Sequence, residues 1–242
     1  MNPEILKLAR ALAVEPERLA YLAEVDTRDV RRLREQVTTT LFDANLVVLE
    51  RMALASKLLP APVVAKIAEK VFGPLLCARI AGLVDVSRGV DVAKRLSPAF
   101  LASVAAELDP RRATAIITRI PVPTVVAVAE ELNRREDWIT LGRFVDHLPD
   151  ETVGRCVRLL DDAGLLRTAY LLDDPSRIDH VLGMLGEQRL PRLVRIAAED
   201  ETLWPPAIAL LSQLSEEHRA VVRPLLADLP ADLRKRAESA LH

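Results

Sequence analysis

The sequence predicts an all-α protein, and three observations carry that prediction. Half of the 242 residues are hydrophobic while only 3% are aromatic. Gly is scarce at 8 and Pro plentiful at 16. Apolar residues recur in steps of three and four. Ala, Leu and Val carry the apolar content, which suits closely packed helices and is poor for a β-sandwich. Prolines in a helical chain belong in first turns and between helices, so sixteen imply many short ones. The expected architecture is an N-terminal helical region over residues 1–86 with one long helix, followed over 87–242 by a solenoid-like α-superhelix of short helices.

Residues 3–25 predict two short helices, with Pro16 in the first turn of the second. Asp26 and Thr27 offer an N-cap for a longer element. From Arg28 to Leu59 there is neither Gly nor Pro. Val30, Leu33, Val37, Leu41, Ala44, Val48, Met52, Ala55 and Leu59 fall on one helical face, which predicts one continuous helix of about 27–59. A second apolar line at Phe42, Leu46, Leu49 and Ala53 predicts burial on two sides toward its end. Pro60 and Pro62 end it. Residues 62–72 and 74–84 then predict two apolar helices, with Gly73 in the left-handed position past the first and Pro74 opening the second. Asp85 to Gly89 is an expected turn and domain boundary.

A repeat follows. Leu or Ile is followed by Ser, Asp or Pro, then by apolar residues at +5, +8, +9 and +12. It runs as Leu96, Ser97, Leu101, Val104, Ala105, Leu108; as Leu108, Asp109, Ala113, Ile116, Ile117, Ile120; as Ile120, Pro121, Val125, Val128, Ala129, Leu132; and as Leu148, Pro149, Val153, Cys156, Val157, Leu160. Ser, Asp or Pro starts each helix, and the spacing puts four apolar side chains on one face. A helix of two or three turns cannot bury that face alone, so neighbours must stack.

The run from Leu108-Asp109-Pro110 to Ile120-Pro121 resembles the helical repeat of the N-terminal domain of MgtE-type magnesium transporters and the related middle domain of the flagellar switch protein FliG. The resemblance covers about 96–162, extends at most to the C-terminus, and leaves 1–95 uncovered. It implies a superhelix of short helices and a role as a protein-docking surface. Transport is not implied, because the pore and the nucleotide-binding-like modules are missing and the transporter's cation-facing carboxylates have no counterpart at matching positions.

Composition excludes more than it assigns. A formal net charge of −2 and a pI near 6.1 do not steer the molecule toward nucleic acid. The basic residues, mostly Arg, are interleaved with acids and lack aromatic partners, so solvated helix faces are expected. Cys77 and Cys156 lie far apart and predict buried free thiols. No signal sequence or membrane-spanning run is present, and a cytoplasmic location is expected. No catalytic motif or cofactor signature appears around His147, His180, His218, His242 or any Ser or Thr, so a non-enzymatic chain is expected.

Two candidate sites remain. Asp161-Asp162, Asp173-Asp174 and Glu199-Asp200-Glu201 could supply oxygen ligands to a divalent cation, although acids at helix starts also serve as caps. The stretch 58–84 is the most apolar, and the expectation is a buried helical hairpin. The sharper alternative is a cavity against the 28–59 helix, lined by Phe42, Leu46, Leu49, Val63, Ile67, Val71, Phe72, Leu76 and Ile80, or a face docking on a partner or a membrane with Lys66, Lys70 and Arg79 at its edge. The leading functional expectation is an interaction module for a protein partner, a second copy of the chain among the candidates. An apolar-ligand carrier and a cation sensor are the alternatives. Trp138 and Trp204 are expected as core or interface anchors.

Overall fold

The computed structural model describes residues 2–43, 46–174, 176–186 and 188–241. Met1, His242, Ala44 of the predicted long helix and Pro175 of the Asp173-Asp174-Pro175 helix start lie outside the described residues. The fold is all-α, with seventeen α-helices and no strand among the described residues. It divides into two compact units, residues 1–116 and 117–242.

The first unit contains α1 (Pro3–Leu12), a 3-10 helix (Pro16–Leu22), α2 (Thr27–Asp43), α3 (Leu46–Ala55), a 3-10 turn (Ser56–Leu58), α4 (Ala61–Ile67), a π-helical turn (Ala68–Phe72), α5 (Gly73–Ala81), α6 (Val86–Ala93), α7 (Pro98–Glu107) and α8 (Pro110–Ile117). The two expected N-terminal helices are present. The Asn2 side chain accepts the Glu4 N–H at 2.9 Å, satisfying one donor that the first turn leaves over. Ile5, Leu8, Ala9, Leu19 and Val30 form a small core where α1 meets α2. A charged cluster sits beside it. Glu4 is 1% exposed, and its carboxylate takes Lys7 Nζ at 3.0 Å, Arg34 Nε at 2.9 Å and Arg31 Nη2 at 3.4 Å.

That cluster corrects the predicted face of the long helix. Val30 is buried, but Leu33, Leu41, Val48 and Leu59 of that face are exposed; Arg34 turns inward instead, and Phe42, Leu49 and Ala53 of the expected second line are buried. The register is set by Arg34, which turns toward the buried Glu4 carboxylate and leaves its neighbour Leu33 in solvent. The chain is helical over 27–43 and 46–55, and the junction lies outside the described residues.

Past α4, Gly73 has a positive φ of +73°, which favours glycine, but its ψ of 171° is extended and differs from the left-handed helix cap expected there. The expected turn at Asp85–Gly89 is instead the start of α6. Gly89 sits inside that helix close to the Ile116 side chain, whose Cδ1 would have to move for an added Cβ. The boundary moves with it, because α4 packs on α6 and α5 on α7 across residues 85–89. The division falls at 116/117 instead.

The second unit contains α9 (Val122–Arg134), α10 (Trp138–Val145), α11 (Asp150–Val157), α12 (Asp162–Tyr170), α13 (Ser176–Gly183), α14 (Arg189–Glu199), α15 (Trp204–Leu211), α16 (Glu216–Val222), a 3-10 turn (Arg223–Leu226) and α17 (Ala231–Ala240). The four copies of the repeat are α7, α8, α9 and α11. Their apolar positions are buried or half-buried throughout, with Val104, Leu108, Ile116, Leu132 and Val153 fully so. Their starts behave as the chemistry requires. The Ser97 hydroxyl accepts Phe100 N–H, Asp109 accepts Arg111 N–H, and Pro121 and Pro149 stand at the N-caps of α9 and α11.

The larger structural period is a pair of helices. Helices two apart in the chain pack together: α4 with α6, α5 with α7, α9 with α11, α10 with α12, α11 with α13 and α12 with α14. Arginines fasten these stacks. Arg88 donates to the carbonyls of Ser56 and Leu59, 32 and 29 residues earlier. Arg189 donates to Val157 and Leu160 at the same two offsets and pairs with Asp162 at 2.9 Å. Arg177 reaches Val145 O, also 32 residues back, and Asp150 at 3.2 Å. Arg88 and Arg189 cap carbonyls that a helix C-terminus leaves over, and Arg177 adds a second donor to Val145 O, which also accepts Leu148 N–H. A second link repeats at a spacing of 28: Ser97 N–H donates to Glu69, and Asp174 N–H to Asp146.

Candidate functional site

Fifteen large hydrophobic side chains are exposed among the described residues, and ten of them lie between Leu41 and Leu75. Leu58 is 86% exposed, Val71 73%, Val47 and Leu54 60%. The side chains turned inward over the same stretch are mostly small: Ala53, Ala61, Ala65, Ala68 and, just beyond, Ala78, with Phe42 and Leu49 the large exceptions. The expected buried hairpin over 58–84 is thereby corrected. Alanine lets α3, α4 and α5 approach closely, and the larger residues are left on the outer side. The elements form one packed group, with α3 on α5 and the π-helical turn on both α4 and α5.

Five cations, Arg51, Lys57, Lys66, Lys70 and Arg79, stand among residues 46–82 against two acids, Glu50 and Glu69. The chain as a whole carries −2. Glu69 is further committed, since hydrogen bonds from the backbone and side chain of Ser97 hold its carboxyl below the ordinary range.

The residues predicted to line an apolar cavity separate. Val63, Val71 and Phe72 are exposed; Leu46, Ile67, Leu76 and Ile80 are half-buried; Phe42 and Leu49 are buried. Phe42 is roofed by the Arg112 guanidinium, 4.8 Å from its ring centroid, which also pairs with Asp43 at 2.8 Å.

A cavity of about 90 Å³ lies in the second unit, lined by side chains of α12 to α16 and the turn after it. None of the nine predicted residues lines it. Every lining residue is Leu, Ile, Val or Ala except Trp204. Trp204 is 5% exposed, and its indole Nε1 has no hydrogen-bond acceptor among the described residues. A cavity of that volume costs about 2 kcal/mol relative to a filled core. Sequence reasoning treated Trp204 as an ordinary anchor.

The acidic candidates are mostly occupied in holding the fold. Asp161 accepts Gly164 N–H at the start of α12, and Asp162 pairs with Arg189 and Arg192. Asp174 accepts Ser176 N–H. Asp200 accepts both Thr202 N–H and its hydroxyl, which lowers its pKa. Glu199 and Glu201 are exposed. Asp173 also acts on Asp146 by repulsion. Burial, with Asp173 and Asp174 nearby, pushes Asp146 up to about 6, opposed by Arg177. Among the described residues no three His, Cys, Asp or Glu side chains converge as metal ligands.

Ser215, His218 and Asp179 come together, an arrangement the sequence did not suggest. Both oxygens approach the same ring nitrogen, Nδ1, with Ser215 Oγ at 3.1 Å and Asp179 Oδ1 at 3.0 Å. A catalytic relay needs them on opposite nitrogens. The group caps α16 instead, with Ser215 Oγ accepting His218 N–H. Cys77 and Cys156 are free and half-buried, and burial pushes both thiols to about 11. No helix among the described residues is long and apolar enough to cross a membrane.

No protein-family model matches the chain, and neither a curated protein nor a solved structure is significantly similar to it.

Proposed function

We propose that the chain is a non-enzymatic interaction module that docks an acidic-rimmed protein partner on the apolar belt of α3, α4 and α5. The observation that carries this reading is the inversion of side-chain size, small inward and large outward, over residues 46–78. Leaving so many branched aliphatics in water is unfavourable by about 25 cal/mol per Å² of apolar surface, and a partner would recover that free energy. The cations interleaved with the belt favour acids at the partner's edge. Three of the six lysines in an otherwise Arg-rich chain fall between 57 and 70.

A protein surface suits the belt better than a bilayer. Interfacial membrane helices keep a strongly polar face in water. Helix α3 instead turns Leu49 and Ala53 to the core and Val47, Val48 and Leu54 outward, with only Glu50 and Arg51 as charged residues. A helix apolar on both sides is built to be covered on both. The same-face charge also disfavours a symmetric pairing of two belts. The repeat's likeness to the helical domains of MgtE-type transporters and FliG supports a docking role.

Site-specific photocrosslinkers at Leu58, Val71 and, as an exposed apolar control, Val221 test the reading in cells. The expected result is one protein adduct at both belt positions, absent at Val221 and lost when Leu54→Glu is added. Lipid adducts at the belt, or equal protein labelling at all three positions, would overturn it.

A further inference from the structure

We infer that the cavity of the second unit is a binding site for a compact hydrocarbon group, either a small free molecule or the end of an alkyl chain. This inference is independent of the docking belt and concerns different helices. It starts from where side-chain volume is missing. In the first unit alanine draws helices together, but here alanine borders a space. Ala169 of α12, Ala197 of α14 and Ala207 of α15 all line the cavity, and these three helices pack pairwise on one another. The space is therefore bordered by small residues on every helix of a three-helix junction, rather than by one poorly filled position. Close-packed interiors keep few spaces larger than a water molecule.

The walls decide what the space accepts. Beyond the alanines they are Leu, Ile and Val with the ring of Trp204, and no lining side chain is charged. The Trp204 indole nitrogen is itself closed off, so the tryptophan offers ring carbon. A water molecule needs about two to four polar partners, and hydrocarbon walls supply none. Cavities of this kind stay dry and take up guests such as benzene or xenon. A charged or hydrogen-bonding guest would lose its hydration without replacement. At about 15 Å³ per water-sized group, 90 Å³ takes roughly six such groups, a six-membered ring or a short alkyl segment. Leu182, Leu185, Leu190 and Leu211 line the cavity and are only half-buried, which places part of its wall near the surface, where a chain end could enter. The lining runs from Leu165 to Leu226, so a guest would join elements distant in sequence and stabilise the folded unit.

Benzene and pyridine test this, since they share a shape and differ in one ring atom. The full chain is labelled with carbon-13 at the methyl groups of Ile, Leu and Val. Benzene is expected to shift the methyl resonances of Leu165, Leu182, Leu193 and Leu210, to leave Leu58 and Val71 unmoved, and to raise the melting temperature. Pyridine, uncharged in neutral buffer, should bind at least about tenfold more weakly, because its nitrogen finds no donor in the walls. Ala207→Leu, which fills the space, should abolish the benzene shifts. Octanoate separates the two sources of ligand. If it displaces benzene from the same methyl groups, the site takes a chain end; if benzene binds and octanoate does not, the site takes a small free hydrocarbon. Pyridine binding as tightly as benzene, or lining methyl groups unmoved by saturating benzene, overturns the inference even if the variant does not fold. Shifts confined to residues 41–75 also overturn it, since they place the probe on the belt.

Discussion

The two units use the same residue types in opposite ways. Over residues 46–78 the first unit turns alanine inward and leaves leucine and valine outside. The second turns leucine, isoleucine, valine and Trp204 inward and, among the described residues, exposes one large apolar side chain, Val221. The first unit's own apolar cluster is the small one between α1 and α2, reinforced by the buried Glu4 group. The second unit's core runs from Val153 to Leu241. Equal hydrophobicity along a chain therefore does not mean equal burial. One unit is organised around a continuous interior, and the other leaves much of its apolar surface exposed.

The largest expected effect that could break this contrast is in the second unit. Leu203 is fully buried, and Leu203→Ala should cost about 4 kcal/mol in urea unfolding, while Leu58→Ala should stay within roughly 0.5 kcal/mol. Similar losses at both positions would mean that the belt is core after all. Next comes Glu4→Gln, which removes a carboxylate shared by three cations and should cost about 3 kcal/mol. Amide hydrogen exchange should show the loss in α1 and α2.

Asp146→Asn should act in the other direction and with pH. Its carboxyl binds protons more tightly folded than unfolded, so folding stability falls as pH rises from about 4 to about 6. The neutral variant escapes that loss. It should melt higher than the unsubstituted protein at pH 7, and the two curves should converge near pH 4. A constant difference across that range would refute the assignment. The smallest effect on stability is expected from Val71→Glu together with Leu58→Glu, which should leave the melting temperature nearly unchanged while lowering the fluorescence of a dye that reports exposed apolar surface.

The parts legible in the sequence are those where one face differs from the other. At 96–160 the thirteen-residue pattern marks the inward positions of each mini-helix, and Ser97, Asp109, Pro121 and Pro149 mark the starts. Over 46–80 apolar residues fall around the helices rather than along one side, so periodicity finds the helices and cannot say which side turns in. Phe42 and Phe72 looked alike and ended on opposite sides of the surface. The arginine fastenings were unreadable for a different reason. Their partners are backbone carbonyls, which every residue carries, so nothing at Val157 or Leu160 advertises Arg189. The cavity was equally silent, because volume left over by packing has no residue of its own.

Those fastenings also limit how the molecule can be cut. Arg88 and Arg189 each reach back 29 and 32 residues, so any fragment that stops short of the arginine keeps a helix end whose closure it has discarded. Trimming to a single hairpin leaves dangling acceptors at its hem. The stacks are modular in appearance and indivisible in their wiring.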